Sequence, residues 1–368
     1  MTTMPNMVRA RPHLCSAIES ELSGLIGERT KTAVRYGPEF HRLWSIAGEN
    51  VLGGKFVRPL LLVESFDALA DKNTEDRHTA ISIAAAIELL HYAFLLHDDV
   101  IDGDLVRRGR PNLIGSLLAE AGQLPPSGER PDAGRPDSAL HWAQTGGILM
   151  GDMLLAATHQ VFARAELPHP TRVRLLDLLE HTINETVAGE QLDVGLGDGI
   201  IAPELETILT MCGYKTATYT FELPLRAAAT LAGVEPSIEA ALAAAGRHLG
   251  LAFQLQDDLL STFGDPRSHG KDPFSDLREG KQTAIIAYAR KTSAWAEIEP
   301  WFGRADLGGS DADNVRQLLS DCGAETFVQG HIDQQTRAFR EVIASTHVPA
   351  GARDVLLELA GQLEGRQS

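Results

Sequence analysis

A chain of 368 residues suffices for one large or two ordinary domains, and with 43% hydrophobic residues it can bury a sizeable core. Its net charge of −17 argues against nucleic acid or an anionic membrane as the main partner. The three cysteines (Cys15, Cys212 and Cys322) are an odd number without metal-ligand spacing, which suits a reducing cytoplasm and excludes a disulfide framework. The N-terminal stretch has no apolar signal core, and no run is read as reaching transmembrane length. The expectation is a cytoplasmic protein with no integral membrane segment. Aromatic residues are few at 6%. Apolar residues recur at three- and four-residue spacing through almost every segment, and period-two strands are absent. The pattern predicts an all-α protein, a single helical bundle of roughly a dozen helices.

In chain order, a first helix is read over Leu14 to Tyr36. Gly53-Gly54-Lys55-Phe56-Val57-Arg58-Pro59 follows, a glycine turn opening a helix. Lys55 and Arg58 are three residues apart and can point one way. Taken alone, they read as an ordinary surface-charge pair. Asn73 to Asp76 is a turn, and Thr79 begins a long helix that ends in ELLHYAFLLHDDVIDGDLVRRGRPN, Glu88 to Asn112. There Asp98 and Asp102 lie one turn apart on one face, with Asp99 beside them. The residues before them are mostly apolar, so this helix is read as buried. Buried like-charged carboxylates repel and need a cation. Oxygen ligands on a rigid helix suit Mg²⁺, which keeps waters and shares substrate phosphates. Arg107 and Arg108 add positive charge where an anionic ligand would want it. The alternative is a solvated acidic helix end with counter-ions. An EF-hand loop is excluded, because Val100 and Gly109 stand where it needs an acid and a glutamate.

Gly122 to Ser138, rich in Pro, Gly and charge, reads as a flexible loop (residues 122–138) inside a single domain spanning 1–368. A partner-binding loop is the alternative there. Gly151-Asp152 sits in an apolar helix, where small residues permit close packing. The helix from Thr171 to Val194 holds Gly189-Glu190-Gln191-Leu192-Asp193. One helix is read from Pro203 to Leu231, with Lys215-Thr216 near its start. Another, Glu235 to Phe263, ends in FQLQDDLLSTFGD, and the loop Gly264 to Ser275 leads into DLREGKQTAII.

Asp257 and Asp258 repeat the paired acids on a second apolar helix, with Gln254 one turn before Asp258. Two such helices can face each other in an antiparallel bundle and hold metals between them. Lys55, Arg58, Arg107, Arg108, Lys215, Lys271 and Lys281 complete the charge arithmetic. Acids with Mg²⁺ would hold one diphosphate, and Lys and Arg another. Gly264 to Lys271 is not a phosphate loop, because Asp272 replaces the Ser or Thr after the lysine.

From about Gly53 to Ile286 the sequence resembles the trans-isoprenyl diphosphate synthases, or polyprenyl synthetases. GGKFVRP is similar to that family's GGKxxRP, and HDDVIDGDLVRRGRP to its DDxxD followed by RRGxP. GD, KT, FQxxDD and GKxxxxDLxxGKxT follow in the family's order. The resemblance implies a helical fold around a central cavity, a homodimer, and use of about three Mg²⁺ ions. It implies that Asp98, Asp99 and Asp102, with Asp257 and Asp258, serve the metal. Arg107, Lys215 and Lys271 would hold an allylic diphosphate, with Thr216, Gln254 and Lys281 nearby. Lys55, Arg58, His91 and Arg108 would bind isopentenyl diphosphate. Ala93 and Phe94 would bear on product length, with geranylgeranyl diphosphate expected before farnesyl diphosphate. Glu190 departs from the pattern, standing where the family has Gln. So does Ser261, which closes the second DDxxD in place of Asp. That second change admits a rival reading, a terpene cyclase using Asp257, Ser261 and Asp265 if the helix persists.

Overall fold

The computed structural model describes residues 11–70, 77–107, 109–123, 138–264, 274–344 and 347–364. The first helices are α1 (Pro12–Ala33), continued by a 3₁₀ turn at Val34–Tyr36, then α2 (Pro38–Val51), α3 (Val57–Leu69) and α4 (Arg77–Asp102). A two-residue hairpin, β1 (Val106–Arg107) and β2 (Arg110–Pro111), precedes α5 (Leu113–Gln123), α6 (Ser138–Arg164) and α7 (His169–Gly197). Then come α8 (Leu205–Cys212), a π-helical segment at Gly213–Glu222, α9 (Leu223–Ala232) and α10 (Pro236–Phe263). The chain ends in α11 (Ser275–Glu279), α12 (Ala284–Ala289), α13 (Trp295–Ile298), α14 (Gly309–Asp321), α15 (Ala324–Ile343) and α16 (Ala350–Glu364).

The all-α reading holds, with two local differences. The hairpin pairs Val106 with Pro111 and Arg107 with Arg110, and Gly109 takes the positive φ of 72° that its tight turn requires. The stretch read as one helix from Pro203 to Leu231 is three segments. Pro224 cannot donate to the ladder. The preceding turns widen, so that the Leu223 N–H donates to the Thr218 carbonyl, five residues back. Of the segment read as a loop, Gly122 and Gln123 close α5 and Ser138 opens α6; residues 124–137 lie outside the described residues. So does the turn expected at Asn73 to Asp76.

Two compact units emerge from the backbone contacts. Of the described residues, those within Met7–Val63 and Glu75–Leu176 form one, and those within Glu64–Thr74 and Asp177–Ser368 form the other. In the first, α4 is the central helix. Its eighteen-residue apolar window has a mean hydropathy of 1.7, enough to cross a membrane, which corrects the reading that no run approaches that length. The window is 67% buried, as expected of a core helix apolar all round. Small residues let α6 close on it: a Cβ at Gly147 would meet Val100, and one at Gly151 would meet His97. In the second unit, Leu255, Leu259, Ile285, Ile286, Leu319 and Val328 belong to one buried cluster.

Candidate active site

The first acidic cluster closes α4. Asp99 is buried and only 2% exposed, Asp98 is half-buried, and Asp102 is exposed at the last helical residue. The hairpin returns Arg107 onto both paired acids. Its Nε donates to Asp99 Oδ1 at 2.9 Å, and its Nη2 reaches both Asp99 and Asp98 Oδ2, the latter at 3.3 Å. Asn112 fixes this geometry. Its Oδ1 accepts the Gly115 N–H and so caps α5, while its Nδ2 donates to the Asp104 carbonyl. Gly115 is required there, since a Cβ would lie 2.1 Å from the Leu105 carbonyl oxygen. Burial raises the Asp99 carboxyl above the usual aspartate range, and the Arg107 hydrogen bond offsets only part of that. Burial opposes the Arg107 charge, but Asp99, Asp98 and Asp104 outweigh it and raise its pKa.

The glycine turn rests on α4 in the same unit. Gly54 packs against the buried Glu88, where a Cβ would come within 3.2 Å of Oε1. Lys55 and Arg58 are half-buried on either side of Phe56 and Val57. Phe56 is buried and has a φ of 47°, a left-handed conformation unfavourable for a bulky residue. His91 is half-buried on α4, three residues beyond Glu88. Ala93 is fully buried, whereas Phe94 is half-buried. Arg108 lies outside the described residues. A separate cleft of about 770 Å³ is lined by Trp44, His78 and Ser82, at the far end of α4. His78 lies roughly 30 Å along the helix from Asp98, so this cleft is not the site.

In the second unit, Thr216 Oγ1 donates to Gln254 Oε1 at 2.9 Å, and Gln254 Nε2 donates to Asp258 Oδ1 at 2.8 Å. This relay ties the π-helical segment to α10. Burial, then Asp276 and Asp257, push the Asp258 carboxyl up to about 8, against the Gln254 hydrogen bond and Lys281. Asp276 is a neighbour that the spacing of the paired acids did not single out; its signal was the DLREGK stretch. Asp257 is half-buried, and Ser261 is buried on the same helix. Lys281 follows the left-handed Gly280 and pairs with Glu279 at 3.2 Å. Lys215 Nζ meets Asp193 Oδ2 at 2.6 Å and Glu190 Oε2 at 2.9 Å. α10 ends at Phe263, and Gly264 is extended. The helix therefore does not carry Asp257, Ser261 and position 265 along one face. Asp265 and Lys271 lie outside the described residues.

Among the described residues, no three His, Cys, Asp or Glu side chains form a complete metal cage. Mg²⁺ does not need one, because it keeps waters and shares phosphate oxygens around one or two carboxylates. The guanidinium of Arg107 stands between Asp98 and Asp99 as a cation would. Asp258, buried beside Asp257 and Asp276, is a further carboxylate whose charge burial opposes and a cation would stabilise. The donor set fits a hard divalent cation.

The profile of the polyprenyl synthetase family matches residues 41–320. The chain is 28% identical over 323 residues to the (2E,6E)-farnesyl diphosphate synthase of Mycobacterium tuberculosis, covering 86% of this chain and 80% of that protein. It is 30% identical to the short chain isoprenyl diphosphate synthase of Methanothermobacter thermautotrophicus, over 73% of this chain and 72% of that protein. A crystal structure of geranylgeranyl pyrophosphate synthase from Corynebacterium glutamicum, complexed with isoprenyl diphosphate and magnesium, superposes with a TM-score of 0.84 at 27% identity. It covers 96% of this chain and 99% of that one. The chain therefore belongs to the polyprenyl synthetase family, prenyltransferases built on an all-α fold.

Proposed function

We propose that the protein condenses isopentenyl diphosphate head-to-tail with an allylic diphosphate, giving a short-chain prenyl diphosphate. Geranylgeranyl diphosphate is the first choice of product and farnesyl diphosphate the second. The observation that carries the reading is the Asp98–Asp99–Arg107 cluster, two acids and a cation at the end of an apolar helix. Asp98, Asp99 and Asp102, with Asp257 and Asp258, are the residues that would hold Mg²⁺, about three ions, which when bound would neutralise the diphosphate and the charge it gains on leaving. Arg107, Lys215 and Lys271 hold the allylic diphosphate, with Thr216, Gln254 and Lys281 in support. Lys55, Arg58, His91 and Arg108 hold isopentenyl diphosphate.

In the reaction, the allylic C–O bond breaks and its electron pair leaves with the diphosphate. The isopentenyl double bond supplies the pair for the new C–C bond. The proton then lost from that chain passes to the departing diphosphate. No nucleophilic side chain is required. The protein orients two substrates and keeps water from the allylic cation. The enzyme works in the cytoplasm as a homodimer. Trp142, Leu149 and Met153, exposed at helical spacing on one side of α6, support an apolar dimer face. Asp99→Ala tests the reading. Turnover at saturating substrates and Mg²⁺ should fall at least about a hundredfold, the scale of electrostatic catalytic groups. Activity within a few fold of the parent would remove Asp99 from the metal site.

A further inference from the structure

Lys215 is held by two acids of one helix face. Asp193 and Glu190, three residues apart on α7, both reach its ammonium, at 2.6 and 2.9 Å. Gly189 makes this approach possible, because a Cβ there would lie 2.3 Å from the Lys215 backbone nitrogen. Thr216, next to Lys215 in the chain, reaches Asp258 through Gln254, so the ion pair lies beside the second acidic cluster. Two carboxylates thus compete with an incoming anion for the one ammonium. An uncharged side chain at position 190 would leave one.

We propose that Glu190 is a positioning residue that sets, and lowers, the affinity for diphosphate by sharing Lys215 with Asp193. The inference rests on the proposed function, in which Lys215 grips the diphosphate. Asp193 alone is enough to hold the lysine in place. The additional carboxylate weakens the grip on both the incoming allylic diphosphate and the inorganic diphosphate left after transfer.

The test is calorimetric titration of the full chain with inorganic diphosphate and Mg²⁺, comparing the parent, Glu190→Gln and Glu190→Asp. KM and kcat for the allylic substrate are measured in parallel. Glu190→Gln keeps the hydrogen-bonding shape and removes the charge. Its Kd for diphosphate should fall by about three- to tenfold, as for a partly screened charge a few ångströms away, with KM falling in step and kcat within about twofold. Glu190→Asp keeps the charge and should stay within about twofold of the parent. A gain in affinity cannot come from a misfolded variant. Should the Gln variant fail to fold, Glu190→Ala removes the same charge and reads the same gain. Unchanged or weaker diphosphate binding on removing the charge would overturn the role of Glu190. A Glu190→Gln variant that shows the gain, when neither it nor the parent forms a prenyl product, would overturn the proposed reaction and leave that role standing.

Discussion

At the residue scale, the proposed function makes Phe94 the side chain to test for control of product length. It lies one turn before Asp98 on α4, on the same face, and one turn is about 5.4 Å, close to one isoprene unit. It is half-buried, while its neighbours Tyr92 and Ala93 are buried. Phe94 thus keeps some accessible surface, and Ala93 has none. Phe94→Ala should lengthen the product without disturbing the acids, read by chromatography of the dephosphorylated prenols. An unchanged distribution in a variant of normal stability and activity would place the floor elsewhere. Spacing on a helix fixes which side chains share a face, so the placing of Gln254 one turn before Asp258 was legible in the sequence. Gln254 does bond Asp258. The Arg107 fork onto Asp98 and Asp99 was not legible, because it depends on a two-residue hairpin turned by Gly109. The contact of Glu190 with Lys215 was missed for the same kind of reason. It joins separate elements, and the only local signal was a pair of acids three apart.

At the element scale, the π-helical segment Gly213–Glu222 decides where Lys215 and Thr216 point. Apolar periodicity over ten residues does not separate a π-helix from an α-helix, so Pro203 to Leu231 read as one helix. Gly189 is the spacer that lets α7 meet this segment backbone to backbone. Gly189→Ala should force the two apart, at a cost of about 1–3 kcal/mol in chemical denaturation. Turnover should fall with it, because Lys215 moves. Parental stability would show that the contact relaxes freely. The far end of the segment carries a pH dependence. Glu222 is fully buried, 3.1 Å from Arg226 and 3.5 Å from Arg247. Burial raises its carboxyl above the usual glutamate range, and the two guanidinia offset only part of this. A carboxyl raised by folding stabilises fully below its unfolded pKa and loses that contribution as pH rises through the folded value. The Tm of Glu222→Gln should therefore gain on the parent as pH rises from about 4.5. A difference that stays flat or moves the other way would mean that the arginines keep Glu222 ionised at no cost.

At the scale of the whole molecule, the all-α architecture was legible because long helices with a regular apolar face dominate the chain. The ordered motifs from Gly53 to Ile286 fall inside the span that matches the polyprenyl synthetase family. The apolar length of α4 is hidden from a reading of uninterrupted apolar runs, because polar residues interrupt it. Its eighteen-residue window tolerates a few polar residues and is 67% buried within the protein. The most direct measurement is to incubate the pure protein with isopentenyl diphosphate, Mg²⁺ and each allylic diphosphate in turn, and to identify the products. Linear prenyl diphosphates ending chiefly at C20, formed only when both substrates and Mg²⁺ are present, are the expected result. No condensation with any primer, or a cyclic hydrocarbon formed from an allylic diphosphate alone, would contradict the account.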